Sequence, residues 1–146
     1  MKIYKNFNVS KKFESSAIAI GNFDGFHLGH QKVIKSGKYL ARKHKLKFGL
    51  LVFHPLPVMF FNKKIKNFRI DSLKQKIETS KKLGIDFIII KKFDKKFSKT
   101  SAENFIEHVL HKKLKAKLIF ISQNFKFGKN RAGTVSYTHL TLPTKA

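Results

Sequence analysis

The sequence contains no cysteine and no tryptophan, only three prolines, and 8 acidic residues against 32 basic ones. Without cysteine there is no disulfide framework, no cysteine-ligated zinc site and no thiol nucleophile. No apolar run approaches the ~18 residues that a membrane span needs, and residues 1–6 lack the apolar core of a signal peptide. We therefore expect a cytoplasmic protein that enters no membrane and whose chemistry depends on His, Asp, Asn, Ser or Lys side chains, or on a ligand.

The excess of basic residues gives the chain a formal net charge of +24. Because lysine-rich surfaces bind phosphates by releasing counterions, a basic nucleic-acid-binding module is one possible function. The lysines are spread along the whole chain, however, and they accompany 16 phenylalanines, whose codons are also rich in A and T. The base composition of the genome accounts for this bias without selection for binding, so we expect no specific nucleic-acid partner.

Apolar strand-like runs alternate with helical periodicity along the chain. Strands are predicted over residues 15–21, 46–53, 85–90 and 117–122. Helices are predicted over 28–43, from a cap at residues 71–72 to Gly84, and after a capping box at residues 100–103. This alternation predicts an α/β fold with a parallel sheet covered by helices on both faces. Segments 21–31, 53–61 and 122–133 each follow a strand directly, so we expect one composite site at the carboxyl ends of the strands.

Residues 21–30, Gly-Asn-Phe-Asp-Gly-Phe-His-Leu-Gly-His, are the most informative segment. His27 and His30 are three residues apart at the start of a helix, so they project toward the same side. Free N–H groups and the helix dipole favour an anion at that point, and Gly25 and Gly29 allow backbone to approach a ligand closely. No side chain here looks like a nucleophile with its own base, which favours phosphoryl or nucleotidyl transfer between bound substrates.

The segment has three other interpretations. One histidine can cap the helix while the other packs against the sheet. Histidines at this spacing also bind metals, but no third ligand is evident, since His54 and His108 lie in other segments, and we predict no protein metal site. The glycines are spaced by four residues, which does not match the dinucleotide-binding fingerprint.

The same segment resembles the ATP-binding motif of the His-x-Gly-His nucleotidyltransferases. In detail it is similar to the adenylyltransferase module of bacterial bifunctional riboflavin kinase/FAD synthetases, and three later segments carry the narrower resemblance. They are the Phe-His-Pro-Leu-Pro loop at 53–57, the helix ending in Leu-Gly-Ile-Asp at 76–86, and Asn-Phe-Lys-Phe-Gly-Lys-Asn-Arg-Ala-Gly at 124–133. The resemblance implies a Rossmann-like nucleotidyltransferase fold and transfer of the adenylyl group of ATP to FMN, giving FAD and pyrophosphate with Mg²⁺.

The resemblance also implies roles for individual residues. His27, His30 and Asn124 are the implied catalytic residues, with the histidines on the ATP phosphates and Asn124 between the two substrates. The implied ATP-binding residues are Gly21, Asn22, Phe23, Asp24, Gly25, His27, Gly29 and His30, and the implied flavin-binding residues are Phe53, Pro55, Asn124 and Phe127. Plain core packing is the alternative for Phe53 and Phe127. The alternative function is a sister transferase with pantetheine phosphate, nicotinate mononucleotide or a cytidylyl acceptor as its second substrate.

The end of the chain differs from the rest. Residues 135–146 contain three threonines, as many as the preceding 134 residues together. The resemblance implies a second nucleotide-binding motif, rich in Ser, Thr and Arg, and then a riboflavin kinase domain, and neither is present. We therefore expect residues 1–134 to be an incomplete FAD synthetase domain, truncated at its C-terminus, residues 135–146 to be a non-native tail, and the parent protein to carry a fused kinase domain. A native C-terminal strand is the alternative for the tail.

Overall fold

The strands of the structure follow the apolar runs of the sequence. The computed structural model describes residues 1–23, 28–54, 73–121, 126–127, 133–134 and 139–141. Within these residues the strands are β1 (Lys2–Tyr4), β2 (Ala17–Ile20), β3 (Phe48–His54), β4 (Phe87–Lys92), β5 (Leu118–Ile121), β6 (Lys126–Phe127), β7 (Gly133–Thr134) and β8 (His139–Thr141). The helices are a 3₁₀ turn (Lys11–Phe13), α1 (Leu28–Lys43), α2 (Leu73–Lys82), α3 (Lys95–Ser98), α4 (Ala102–Asn104) and a π-helix (Phe105–Lys113) that continues α4.

Parallel strands in the order β1-β4-β3-β2-β5 form the main sheet, and β8 adds an antiparallel edge beside β5. Ala17 of β2 is in register with Phe48 of β3 on one side and with Leu118 of β5 on the other. The chain extends the sheet from β2 to β3 and β4, whereas β5 returns to the opposite side of β2. The predicted α/β fold with a parallel sheet is therefore confirmed, and the strand order changes direction beside β2, which is where open α/β sheets bind ligands.

Successive residues of each strand face opposite sides of the sheet, and each side carries its own apolar cluster. We call the cluster that contains Ile18, Leu51, Phe87 and Phe105 the first cluster. The 3₁₀ turn, α3, α4 and the π-helix pack on this side of the sheet. The second cluster contains Ala19, Phe23, Ile34, Leu50 and Ile88, and Leu73 and Ile77 of α2 pack against it. Helices α1 and α2 therefore cover the second side, and both faces of the sheet are buried as predicted.

The predicted helix boundaries hold in two places and shift by one residue in a third. Helix α1 ends at Lys43 as expected, and Gly84, two residues beyond α2, has the left-handed φ of +74° that favours glycine after a helix. At α4 the capping residue is Ser101, whose side chain accepts a hydrogen bond from the N–H of Asn104 at 3.1 Å. The predicted box began at Thr100, so this boundary prediction was one residue early.

The turn before α3 provides a test of acid stability. The Phe97 N–H donates to the Asp94 carboxylate at 2.8 Å and holds the pKa of Asp94 below its ordinary value of 3.8, with help from Lys91 and Lys92. The unfolded chain therefore binds the Asp94 proton more tightly than the folded chain does. The contribution of the Asp94 carboxylate to folding stability is complete above its ordinary pKa and is lost as the pH falls through the lower pKa of the folded state. Asp94→Ala should therefore lower the melting temperature at neutral pH, and the difference from wild type should shrink toward about pH 2.

Asp94→Asn is the control for this prediction, because an asparagine keeps a capping oxygen without the titratable charge. Its melting temperature should keep a constant offset from that of Asp94→Ala across the acid range. Wild-type and Asp94→Ala melting temperatures that stay equally far apart from neutral pH to about pH 2 would contradict the assignment.

The C-terminal segment contributes to the sheet through β8, where Ile119 is in register with Leu140. A non-native origin of residues 135–146 stays a prediction, because strand pairing does not report where a segment comes from. Across the described residues, no helix is both long and apolar enough to cross a membrane.

Candidate functional site

The candidate site begins where β2 ends, at the central position of the sheet. The N–H of Gly21 donates to the carbonyl of Leu51 at 3.3 Å, which extends the β2-β3 ladder by one residue. Phe23 then adopts a φ of +52°, and its side chain is fully buried in the second cluster. A left-handed conformation costs a non-glycine residue about 1–3 kcal/mol and persists only where the surroundings hold it. The turn is therefore strained at the point where the chain leaves the sheet toward α1.

Helix α1 begins at Leu28, five residues after Phe23, and carries His30 in its first turn. The imidazole of His30 is half-buried and lies edge-on to the ring of Phe23, with the ring centroids 5.1 Å apart. The first turn of α1 contains no acidic residue, and its last turn carries Arg42 and Lys43. The positive end of the helix dipole is thus not compensated by a carboxylate on its own first turn, an arrangement that favours an anionic ligand.

A lysine from another helix reaches the same turn. The Nζ atom of Lys76, in α2, donates to the main-chain carbonyl of Asn22 at 2.6 Å, and Lys76 is only 3% exposed. The Oδ1 atom of Asn22 is buried and accepts no hydrogen bond from the described residues, so it is available to a ligand. The sequence interpretation did not identify Lys76 as part of the site. The available signal was its spacing of three from Leu73 and four from Ser80, which places a lysine on the inward face of the helix.

The other predicted site residues divide into three groups. Asp24, Gly25, His27, Pro55 and Asn124 lie outside the described residues. Gly29 lies in α1 and Phe127 in β6. Phe53, at the end of β3, is buried and packs against the rings of Phe93, Phe97 and Phe105.

Phe53 lies on the side of the sheet opposite to Phe23 of the turn after β2. Phe53 belongs to the first cluster, whereas Phe23 belongs to the second, so the two rings are on opposite sides of the sheet. Its neighbour His54 is half-buried and, by the alternation of a strand, faces the side of α1. The described contacts of Phe53 are those of a core residue, and its contact with a flavin stays a prediction.

The three segments that were expected to converge do begin side by side. Strands β2, β3 and β5 are parallel neighbours, and they end at Ile20, His54 and Ile121. The chain that follows each of them therefore starts at the same edge of the sheet. This edge offers a helix N-terminus, an imidazole, a buried ammonium group and a buried amide oxygen, which together suit a phosphate-bearing ligand.

One other feature is a weaker candidate for a binding site. A depression of about 400 Å³ lies at the opposite end of the sheet, between Arg42, Lys45, Lys47 and Asp86. The carboxylate of Asp86 there accepts the N–H of Phe48 at 2.9 Å, so it stabilises the start of β3. Over the part of the chain that the structure describes, no three His, Asp or Glu side chains are grouped closely enough to hold a metal ion.

Comparison with known proteins decides which family this site represents. The family model described as FAD synthetase matches residues 9–142 of the chain. The chain belongs to the FAD synthetase family. The match covers the turn, α1 and all of the parallel strands except β1, so the family resemblance inferred from the motifs is confirmed.

Relatives of the family with curated descriptions agree. Proteins described as bifunctional riboflavin kinase/FMN adenylyltransferase match at 39% identity over 93% of this chain in Buchnera aphidicola subsp. Schizaphis graminum and 36% over 86% in Haemophilus influenzae. The protein of that description in Escherichia coli K12 matches at 32% over 82%. The chain spans 44%, 41% and 38% of these three relatives, which is less than half of each.

A solved structure supports the fold independently. A protein from Streptococcus pneumoniae, described as a macrolide-efflux protein, superposes with a TM-score of 0.72 and covers 90% of this chain and 43% of its own. Its sequence identity is 22%, so this likeness concerns the architecture alone.

Proposed function

We propose that this FAD synthetase family chain transfers the adenylyl group of ATP to FMN, giving FAD and pyrophosphate. The observation that carries the proposal is the family match over residues 9–142, whose motif follows the strand at which the sheet order changes direction. The relatives described as FMN adenylyltransferases support the same reaction. The local geometry is consistent with it, because the turn and α1 bring positive potential to the place where phosphates would bind.

The reaction needs no nucleophile from the protein. A phosphate oxygen of FMN attacks the α-phosphorus of ATP and forms the new P–O bond, while the bond from that phosphorus to the bridging β-oxygen breaks. Pyrophosphate leaves with the electron pair of the broken bond. Catalysis then consists of alignment and neutralisation of negative charge. In this proposal His27 and His30 contact the ATP phosphates and stabilise the charge that develops as pyrophosphate departs.

The remaining roles follow the motif. Gly21, Asn22 and Phe23 would form one wall of the nucleotide pocket, and the buried Oδ1 of Asn22 would accept a hydrogen bond from a hydroxyl or amino group of ATP. Asn124 would lie between the two substrates, and Phe53, Pro55 and Phe127 would border the flavin.

Mg²⁺ and the kinase domain belong to this proposal as well. We propose that Mg²⁺ is held chiefly by substrate phosphates and water, because this ion keeps several waters and rarely uses an all-protein cage. Mg²⁺ would neutralise phosphate charge when bound. This chain spans less than half of relatives that are described as bifunctional riboflavin kinase/FMN adenylyltransferases. We therefore also propose that the full-length protein carries a riboflavin kinase domain.

A panel of acceptors tests the reaction in the full-length protein. With ATP present, FMN should be consumed and FAD and pyrophosphate should form in equal amounts, as measured by chromatography. No product above that of a reaction without acceptor should form with pantetheine phosphate or nicotinate mononucleotide. The same should hold for phosphorylated cytidylyl acceptors supplied together with CTP. Turnover with one of these acceptors but not with FMN would replace the proposed function by that of a sister transferase.

A further inference from the structure

Lys76 is set apart from the other lysines of this basic protein by its burial. The chain has 32 lysines and arginines, yet Lys76 is the sole buried lysine within the described ranges. Taking an ammonium group out of water is costly unless hydrogen bonds or charges compensate it. A lysine is therefore an expensive residue for the inward face of α2 if packing is its only task.

Both ends of Lys76 are held in place. Its main-chain carbonyl accepts the hydroxyl of Ser80 at 2.7 Å, one turn further along α2, and Ser80 is itself fully buried. Leu73 and Ile77 pack α2 against the second cluster. At the other end the ammonium group donates to the carbonyl of Asn22. The side chain thus links a helix that is fixed on the sheet to the turn that follows β2.

The carbonyl of Asn22, which accepts the hydrogen bond from Lys76, belongs to the peptide bond that precedes the strained Phe23. The carbonyl oxygen of Asn22 and the nitrogen of Phe23 belong to one planar peptide unit. Anchoring the oxygen fixes the orientation of that plane, and the φ angle of Phe23 is the rotation between this plane and the rest of Phe23. The hydrogen bond from Lys76 therefore restrains the strained φ of +52° at Phe23. The buried Phe23 ring lies edge-on to the His30 imidazole, with the two ring centroids 5.1 Å apart.

We propose that Lys76 is a positioning residue of the ATP site. Its ammonium group holds the Asn22–Phe23 peptide in the strained turn and so sets the place of the His30 imidazole, while adding a fixed positive charge beneath the phosphate-binding turn. This role rests on the proposed function, in which His30 contacts the phosphates of ATP.

Substitution in the full-length protein tests the role. Lys76→Met keeps the length and the apolar stem but removes both the charge and the donor, so the fold should be retained. Small misplacement of a catalytic group can cost about 10²-fold in rate, and we expect Lys76→Met to lower kcat/KM for ATP by about that factor. The KM for FMN should change little, and Lys76→Arg, which retains charge and donors, should recover part of the loss. Lys74→Met, at an exposed lysine of the same helix, should behave as wild type.

Two further readouts separate positioning from a structural role and from the reaction itself. The imidazole NMR signals of His30 should shift in Lys76→Met and not in Lys74→Met. Calorimetric titration with ATP should show weaker binding to the same variant. If wild type makes no FAD but Lys76→Met still binds ATP more weakly and shifts His30, the proposed reaction fails and the positioning role stands.

Two results would overturn the inference. One is a folded Lys76→Met variant whose ATP affinity and turnover remain within twofold of wild type. The other is a loss of activity that follows a loss of melting temperature in Lys76→Met and Lys76→Arg alike, which would mark Lys76 as a residue of stability only.

Discussion

Replacing His27 and His30 together with alanine is expected to lower FAD formation by the full-length protein by at least about 10³-fold, since a single charge-stabilising donor is worth about 10²–10³-fold. The physical reason is that, in the proposed function, these two histidines of the motif stabilise the charge that develops on the leaving pyrophosphate. His30 is half-buried against Phe23. Alanine at this position should therefore remove the proposed phosphate contact without opening the second cluster. Chromatography of FAD formed from FMN and ATP measures the loss.

The control for this prediction replaces two histidines outside the site. His44 and His108 are exposed, so His44→Ala with His108→Ala should leave FAD formation unchanged. Circular dichroism and melting temperature should be the same for both double variants. A His27→Ala, His30→Ala protein that is folded and turns over at the wild-type rate would refute the assignment of the motif.

Substituting Gly49 with alanine is expected to destabilise the chain by about 3 kcal/mol, the upper part of the usual range for overpacking a core. Gly49 in β3 is in register with Phe87 in β4, and the ring of Phe87 lies over it. A Cβ atom at position 49 would stand 2.3–2.5 Å from the Cζ, Cε1 and Cε2 atoms of that ring. Phe87 is fully buried in the first cluster and has little room to move. Urea unfolding of the 146-residue chain measures the change.

A second substitution shows whether the clash is the cause. Phe87→Leu shortens the side chain above position 49, so Gly49→Ala should cost much less in the Phe87→Leu background than in wild type. This double-mutant cycle isolates the coupling of the two positions. Equal costs of Gly49→Ala in both backgrounds would show that the alanine acts by some route other than contact with Phe87.

Several parts of the fold were predictable because they depend on local patterns. β2, β3, β4 and β5 are apolar runs that must be buried on both faces, and each lies within two residues of its prediction at either end. The end of α2 was predictable because Gly84 adopts a left-handed φ without strain. The fold class followed from the alternation of these elements.

Other parts were missed for identifiable reasons. β1 has three residues and an exposed edge position, so no apolar alternation marks it in the sequence. It forms because Lys2, Ile3 and Tyr4 pair with β4, far along the chain. The cap at Ser101 instead of Thr100 was a choice between adjacent hydroxyl residues, which a pattern cannot distinguish.

The sequence by itself determined the motif: an apolar strand, a glycine-containing segment and two histidines three residues apart follow one another along the chain and need no distant partner. Only the tertiary structure decided that β2 lies between β3 and β5, and that Lys76 reaches the carbonyl of Asn22 across 54 residues. Strand order and helix docking are set by how two apolar faces are buried at once, which is a property of the whole sheet. Because α2 packs on the second side of the sheet, Lys76 lies beside the turn of the candidate ATP site.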